Sequence, residues 1–268
     1  MALDIPGLSD AELQRALKQL TSLPKHEQIE LNRMLVDLEK VKSIEKSQDT
    51  FLDFVNHVYP GYKVGKHHAR LAKIFEDIAN GKKKRVIVNI APRHGKSELI
   101  SYLAPAWFLG KHPDKKVIMA SHTADLAVNF GRRVRNLVGS DPYKEIFPDV
   151  ELQSDSKSAS RWGTNYQGEY FAIGVGGALA GRGADLFIID DPHSEQDAKL
   201  GKPEVFLPAW EWFQSGPIQR LMPGGAIIVV MTRWSKLDLT GQIVNQMVTN
   251  DDVDDWEIVE FPAIIEDK

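Results

Sequence analysis

The chain has 268 residues, 43% of them hydrophobic, enough for one large domain or one domain with a small appendage. It carries no cysteine, which excludes disulfide frameworks, thiolate metal clusters and thiol nucleophiles, and no apolar run approaches the roughly 18 residues of a membrane span. A formal net charge of −4 argues, on average, against a dedicated nucleic-acid binder.

Basic residues do gather at Lys82-Lys83-Lys84-Arg85 and at Arg132, Arg133 and Arg135, and acids at Asp251, Asp252, Asp254 and Asp255. Such runs are more often solvated faces than binding sites. The first residues, with Asp4, Asp10 and Glu12, lack the basic-then-apolar order of a signal peptide, so a soluble, intracellular protein is expected.

In chain order, Leu13, Leu17 and Leu20, then Leu31, Leu35 and Leu38, recur at helical spacing, which predicts two amphipathic helices broken at Leu23-Pro24. A second helical stretch, Thr50 to Ala79, is interrupted by Tyr59-Pro60-Gly61 and closes at Asn80-Gly81. The β-branched run Arg85 to Ile90 suits a buried parallel strand, and Ser97 to Leu109 reads as helical. Further strands are expected at Lys116 to Ser121, Tyr170 to Val175, Leu186 to Ile189 and Ala226 to Met231, with a helix over Ala124 to Val138. Alternating strands and helices predict an α/β domain whose central sheet is mainly parallel, with a helical segment before it. The boundaries expected are residues 1–48 for that segment and 49–268 for the α/β domain.

Between the first strand and the helix after it lies Ile90-Ala91-Pro92-Arg93-His94-Gly95-Lys96-Ser97. A phosphate cradle needs converging backbone N–H groups at a helix start, a glycine where the main chain approaches closely, a lysine for the β/γ charge and a hydroxyl for Mg²⁺. Gly95, Lys96 and Ser97 answer to the last three, and Pro92, Arg93 and His94 complete the loop. The pattern departs from the usual G-x-x-x-x-G-K-[ST] loop in having Ile90 at the first glycine.

A nucleotide-hydrolysing loop works with an Asp at the end of a neighbouring apolar strand. Leu186 to Ile189 followed by Asp190-Asp191 fits, with Asp190 toward Mg²⁺ and Asp191 as general base for the attacking water; Glu195 is the second candidate for that base. Adjacent carboxylates repel, so one titrates high unless a cation lies beside them.

Ala91 to Leu99, preceded by His67-His68, resembles the nucleotide loop of bacteriophage terminase large subunits. The likeness continues through Ser121-His122-Thr123, Phe147-Pro148, Gly174 to Gly183, Ile189-Asp190-Asp191-Pro192, Met231-Thr232-Arg233-Trp234 and Asp238 to Gly241, in that family's order. The resemblance implies a P-loop NTPase of the additional-strand (ASCE) type that uses ATP and Mg²⁺ to drive double-stranded DNA into a procapsid. It also implies partners: DNA, the portal protein, the terminase small subunit and a homo-oligomeric ring, expected to be a pentamer, with no membrane. The expected place is the host cytoplasm, transiently at the portal vertex.

In that family an arginine in the phosphate loop and a threonine at a later strand end take part, which points to Arg93 and Thr232. Ring motors of this kind take an arginine from the adjacent subunit, and Arg182 is the candidate; a loop arginine paired to a local carboxylate is the other reading of it. The family's ribonuclease-H-like nuclease half is expected to be absent, and residues 1–48 are read as a lid or a docking arm. Alternatives are another P-loop translocase or helicase-like ATPase, a small-molecule kinase, or a nucleotide-gated module at the portal that hydrolyses little.

Overall fold

The computed structural model describes residues 23–154, 158–200, 202–250 and 252–262. The chain divides into two compact units, residues 1–46 and 47–268. Of the first unit, the described part belongs to helix α1 (Lys25–Asp49), which starts directly after Pro24. The helix expected over Leu13 to Leu20 lies outside the described residues. Leu35 and Leu38, expected on an apolar face, are exposed, as are Ile29, Met34, Val36 and Val41, so the described part of this unit buries no amphipathic stripe.

The second unit is built on a seven-stranded sheet in the order β3-β4-β2-β5-β6-β1-β7. Its strands are β1 (Arg85–Ile90), β2 (Lys116–Ser121), β3 (Arg161–Gly163), β4 (Glu169–Gly174), β5 (Ala184–Asp190), β6 (Leu221–Met231) and β7 (Glu257–Phe261). All neighbours pair parallel except β3 with β4. The expected α/β class with a mainly parallel sheet is therefore the one found, and the strands expected at Arg85 to Ile90 and Lys116 to Ser121 have the expected ends.

Alternate residues of the central strands feed two cores. Val86, Val88, Leu186, Ile188, Ile228 and Val230 face α2 (Phe51–Val58), α3 (Lys66–Ala79), α4 (Ala104–Lys111) and α5 (Ala124–Val138). Ile87, Phe187, Ile189, Ile227 and Val229 face the other way. Two short helices, α6 (Asp141–Ile146), whose Tyr143 and Ile146 join the first core, and α7 (Glu195–Leu200), precede α8 (Leu207–Ser215) and α9 (Leu239–Thr249), whose Trp212, Phe213, Leu239 and Ile243 close the second layer. Helices on both faces explain why the inner strands read as unbroken apolar runs rather than as alternation.

The helix expected over Ser97 to Leu109 is not regular. Its first part, Glu98–Leu103, is a π turn in which the Ala104 N–H reaches the Leu99 carbonyl, five residues back. Pro105 gives the reason: it has no N–H for the Ser101 carbonyl, and in a regular α-helix its ring would collide with that carbonyl.

Trp107 pins this helix. It is fully buried against Phe51 and Phe75, and its indole N–H donates to the Ser47 carbonyl at 3.1 Å. Trp107→Ala is expected to cost about 3–5 kcal/mol of stability, measured by urea unfolding; a loss under about 1 kcal/mol would contradict this packing.

Candidate functional site

Parallel pairing brings the carboxyl ends of β1, β6, β5 and β2 to one edge of the sheet. In register, Asn89 stands beside Met231, Val230 beside Asp190, and Asp190 beside Ser121. Crevices outside such strand ends are where open α/β sheets bind ligands.

The loop after β1 turns through two left-handed residues, Arg93 (φ 63°) and Gly95 (φ 73°). Gly95 has a second constraint: a Cβ there would lie 2.5 Å from His68 Nε2, so glycine lets the loop pass against α3. His68 clasps the loop. Its Nδ1 accepts the Gly65 N–H at 3.0 Å, which leaves the ring proton on Nε2 to be donated to the His94 carbonyl at 2.9 Å. Burial, then neighbouring His67, holds its pKa below the ordinary histidine value, favouring the neutral ring this arrangement requires. Arg93 is exposed and forms no hydrogen bond or ion pair among the described residues.

Lys96, buried, donates to Asp191 Oδ2 at 2.5 Å, and Asp191 Oδ1 accepts the Thr232 N–H at 3.0 Å. Asp191 is itself left-handed, at φ 42°, a conformation that aspartate adopts more readily than most residues. The Thr232 hydroxyl donates to the Ile90 carbonyl at 3.3 Å, tying the end of β6 to that of β1. Asp190 is fully buried, and its Oδ2 accepts from the Ser101 hydroxyl at 2.8 Å. Its Oδ1 is buried without a partner. Desolvation, with the Asp191 charge beside it, raises the Asp190 pKa to about 6, while Lys96 and the hydroxyls of Ser101 and Ser97 pull it down.

A buried carboxylate oxygen with no partner, beside a serine hydroxyl and a glycine-cradled loop at a helix start, suits a hard divalent cation carried by a phosphate. Asp190 and Ser97 are the residues that would hold it. A cavity of about 510 Å³ opens beside the loop, lined among others by Asn89, Ala91, Pro92, Thr232, Arg233 and Glu260.

The loop, Lys96, Ser97, Asp190, Asp191 and Thr232 thus come together. Arg182 does not join them. It stands just before β5 starts, at the opposite edge of the sheet, where it pairs with Glu169 at 3.0 Å and lies over the Phe171 ring at 3.7 Å. Glu195 pairs with Lys199 at 2.8 Å. Of the basic runs, Lys83 pairs with Glu257, Arg85 with Asp254, and Arg133 with Glu98.

Sequence reasoning passed over three groups that shape this edge. In the sequence His68 is one residue of a motif and Ser101 one residue of a helix, although Pro105 signals the irregularity. Asp238 was likewise only a motif residue; it caps α9 through the Gly241 N–H and accepts from Arg233 Nε and the Trp234 and Ser235 N–H groups, fixing the turn after Thr232.

A charged Asp190 costs the empty fold stability. Its folded pKa of about 6 against 3.8 makes that cost on the order of 3 kcal/mol above pH 6, falling to nothing below pH 4. Asp190→Asn is expected to melt higher than the parent protein at pH 8, with the gap closing as pH falls through 6; a pH-independent gap in the melting curves would refute this.

Residues 87–201 match the family described as terminase large subunit, T4likevirus-type, N-terminal. No curated protein matches. Among solved structures, the large terminase of bacteriophage HK97 is 15% identical, with 82% of this chain and 45% of that one covered at a TM-score of 0.54. An arginine-to-alanine mutant of the Thermus phage P74-26 large terminase ATPase domain is 16% identical over 78% of this chain and 84% of that one, with a TM-score of 0.49. At such identities the likeness concerns the fold, and it rests on the first of these. The chain spans under half the length of that HK97 protein.

Proposed function

From residues 87–201, which match the terminase large-subunit N-terminal family, we propose a DNA-packaging ATPase that hydrolyses ATP to drive double-stranded viral DNA into a procapsid. The observation that carries this reading is the meeting of Lys96, Asp190 and Asp191 at the carboxyl ends of β1 and β5, on either side of β6.

The loop N–H groups from Arg93 to Gly95 cradle phosphate, and Lys96 neutralises the β/γ oxygens. Ser97 and Asp190 would hold Mg²⁺, which when bound would neutralise charge developing on the phosphoryl oxygens. Asp191 orients and deprotonates the attacking water. In the empty protein Asp191 is held by Lys96 and the Thr232 N–H. Incoming phosphate competes for the same ammonium, so substrate arrival releases the base. Thr232, bonded to both Asp191 and the Ile90 carbonyl, carries that release to the end of β6. Arg93, exposed in the loop, faces the phosphates, and Arg182 serves the site of a neighbouring subunit in a ring, leaving Glu169 to do so.

Residues 1–48 act as a lid or docking arm, and the portal protein and terminase small subunit are the partners. The work is done in the host cytoplasm at the portal vertex. DNA is held through its phosphates, without sequence preference and with strong salt dependence.

Phosphate release, assayed with and without double-stranded DNA, tests the reading. Lys96→Ala and Asp190→Ala are each expected to lower turnover by at least about 10²-fold. Turnover that survives either substitution, or a folded protein that never releases phosphate, rejects an ATPase at this site.

A further inference from the structure

Asp190 has two oxygens in different circumstances. Oδ2 accepts from Ser101 Oγ at 2.8 Å, and Oδ1 has no partner. Ser101 is fully buried, so its hydroxyl cannot turn to water, and no other hydrogen bond of that hydroxyl is recorded among the described residues. It belongs to the π turn, whose widened ladder is the response to Pro105. Such insertions in helices recur at functional positions, and this one begins directly after Ser97.

We propose that Ser101 is a positioning residue for the divalent cation: by holding Oδ2 of Asp190, the π turn fixes that carboxylate with Oδ1 as its free oxygen for the metal or a metal-bound water. This rests on the Mg²⁺-nucleotide reading of the site above. A carboxylate tethered at one oxygen cannot rotate to chelate through both, and it meets the cation already oriented. Outer partners of metal-binding carboxylates orient them in this way, and their loss weakens metal affinity by about 10- to 100-fold. Ser97 cannot replace it, because its hydroxyl is itself wanted by the cation.

The test is Mg²⁺ titration of the binding of a fluorescent ATP analogue to the full chain, read as fluorescence and so independent of turnover. For Ser101→Ala, the Mg²⁺ concentration at half-saturation is expected to rise about tenfold or more, while analogue affinity without Mg²⁺ and the melting temperature stay near those of the parent. An unchanged Mg²⁺ dependence overturns the proposal, and so does an equal loss of affinity with and without Mg²⁺, since that is what a merely structural serine would give. If the alanine variant does not fold, Ser101→Cys decides by the same two criteria, because it keeps the volume and donates only weakly. Failure of the parent protein to bind the analogue with Mg²⁺ rejects the nucleotide site itself and this inference with it; normal binding by the parent alongside an unaltered variant rejects the inference alone.

Discussion

The ion pair between Lys96 and Asp191 fixes the distance between the loop after β1 and the end of β5. It also separates the behaviour of two consecutive carboxylates. Asp191 has an ammonium and a backbone N–H to share its charge, whereas Asp190, sealed in the core end of the strand, has hydroxyl partners and a neighbouring negative charge. Burying a charge is tolerable only with such partners, so the arrangement is stable where cations are supplied and costly where they are not. The site is therefore held in readiness at the expense of the empty fold.

That relation depends on strand order. β6 lies between β1 and β5, and at its end Thr232 bonds to the segments leaving both neighbours, a second link beside the direct one from Lys96 to Asp191. The next turn is no looser: Asp238 gathers four donors, and the Leu239 N–H donates to His193 at 2.9 Å, three residues beyond Asp190. The start of α9 is thus bonded to segments leaving both β5 and β6.

Much of this is legible in the amino-acid sequence, for physical reasons that differ by residue. The runs Arg85 to Ile90 and Lys116 to Ser121 announce themselves because strands buried on both faces have no polar interruption. Gly95, Lys96, Ser97, Asp190 and Asp191 were legible as chemistry because their residue types have few other reasons to occur at strand ends. β7 was missed, since Glu257 and Glu260 break its apolar pattern and an acidic run precedes it. Pairings between distant positions were equally hidden: nothing local says that Lys83 and Arg85 will be neutralised by Glu257 and Asp254, far along the chain. Arg182 illustrates a real ambiguity, because a glycine-flanked arginine looks the same in sequence whether it reaches a neighbour or, as found within this chain, settles on Glu169 and Phe171.

The clasp of His68 on the His94 carbonyl has a mechanical consequence. The imidazole sits in the first turn of α3, and its other nitrogen is anchored to the Gly65 amide, so the ring acts as a rigid strut between the Tyr59 to Gly65 bend and the loop after β1. A tug on that bend of even a fraction of an ångström would be delivered to the peptide plane between His94 and Gly95, rotating the N–H that points the opposite way. Whatever grips the surface near Tyr59 and Tyr62 thereby acquires leverage over the loop after β1 without touching it.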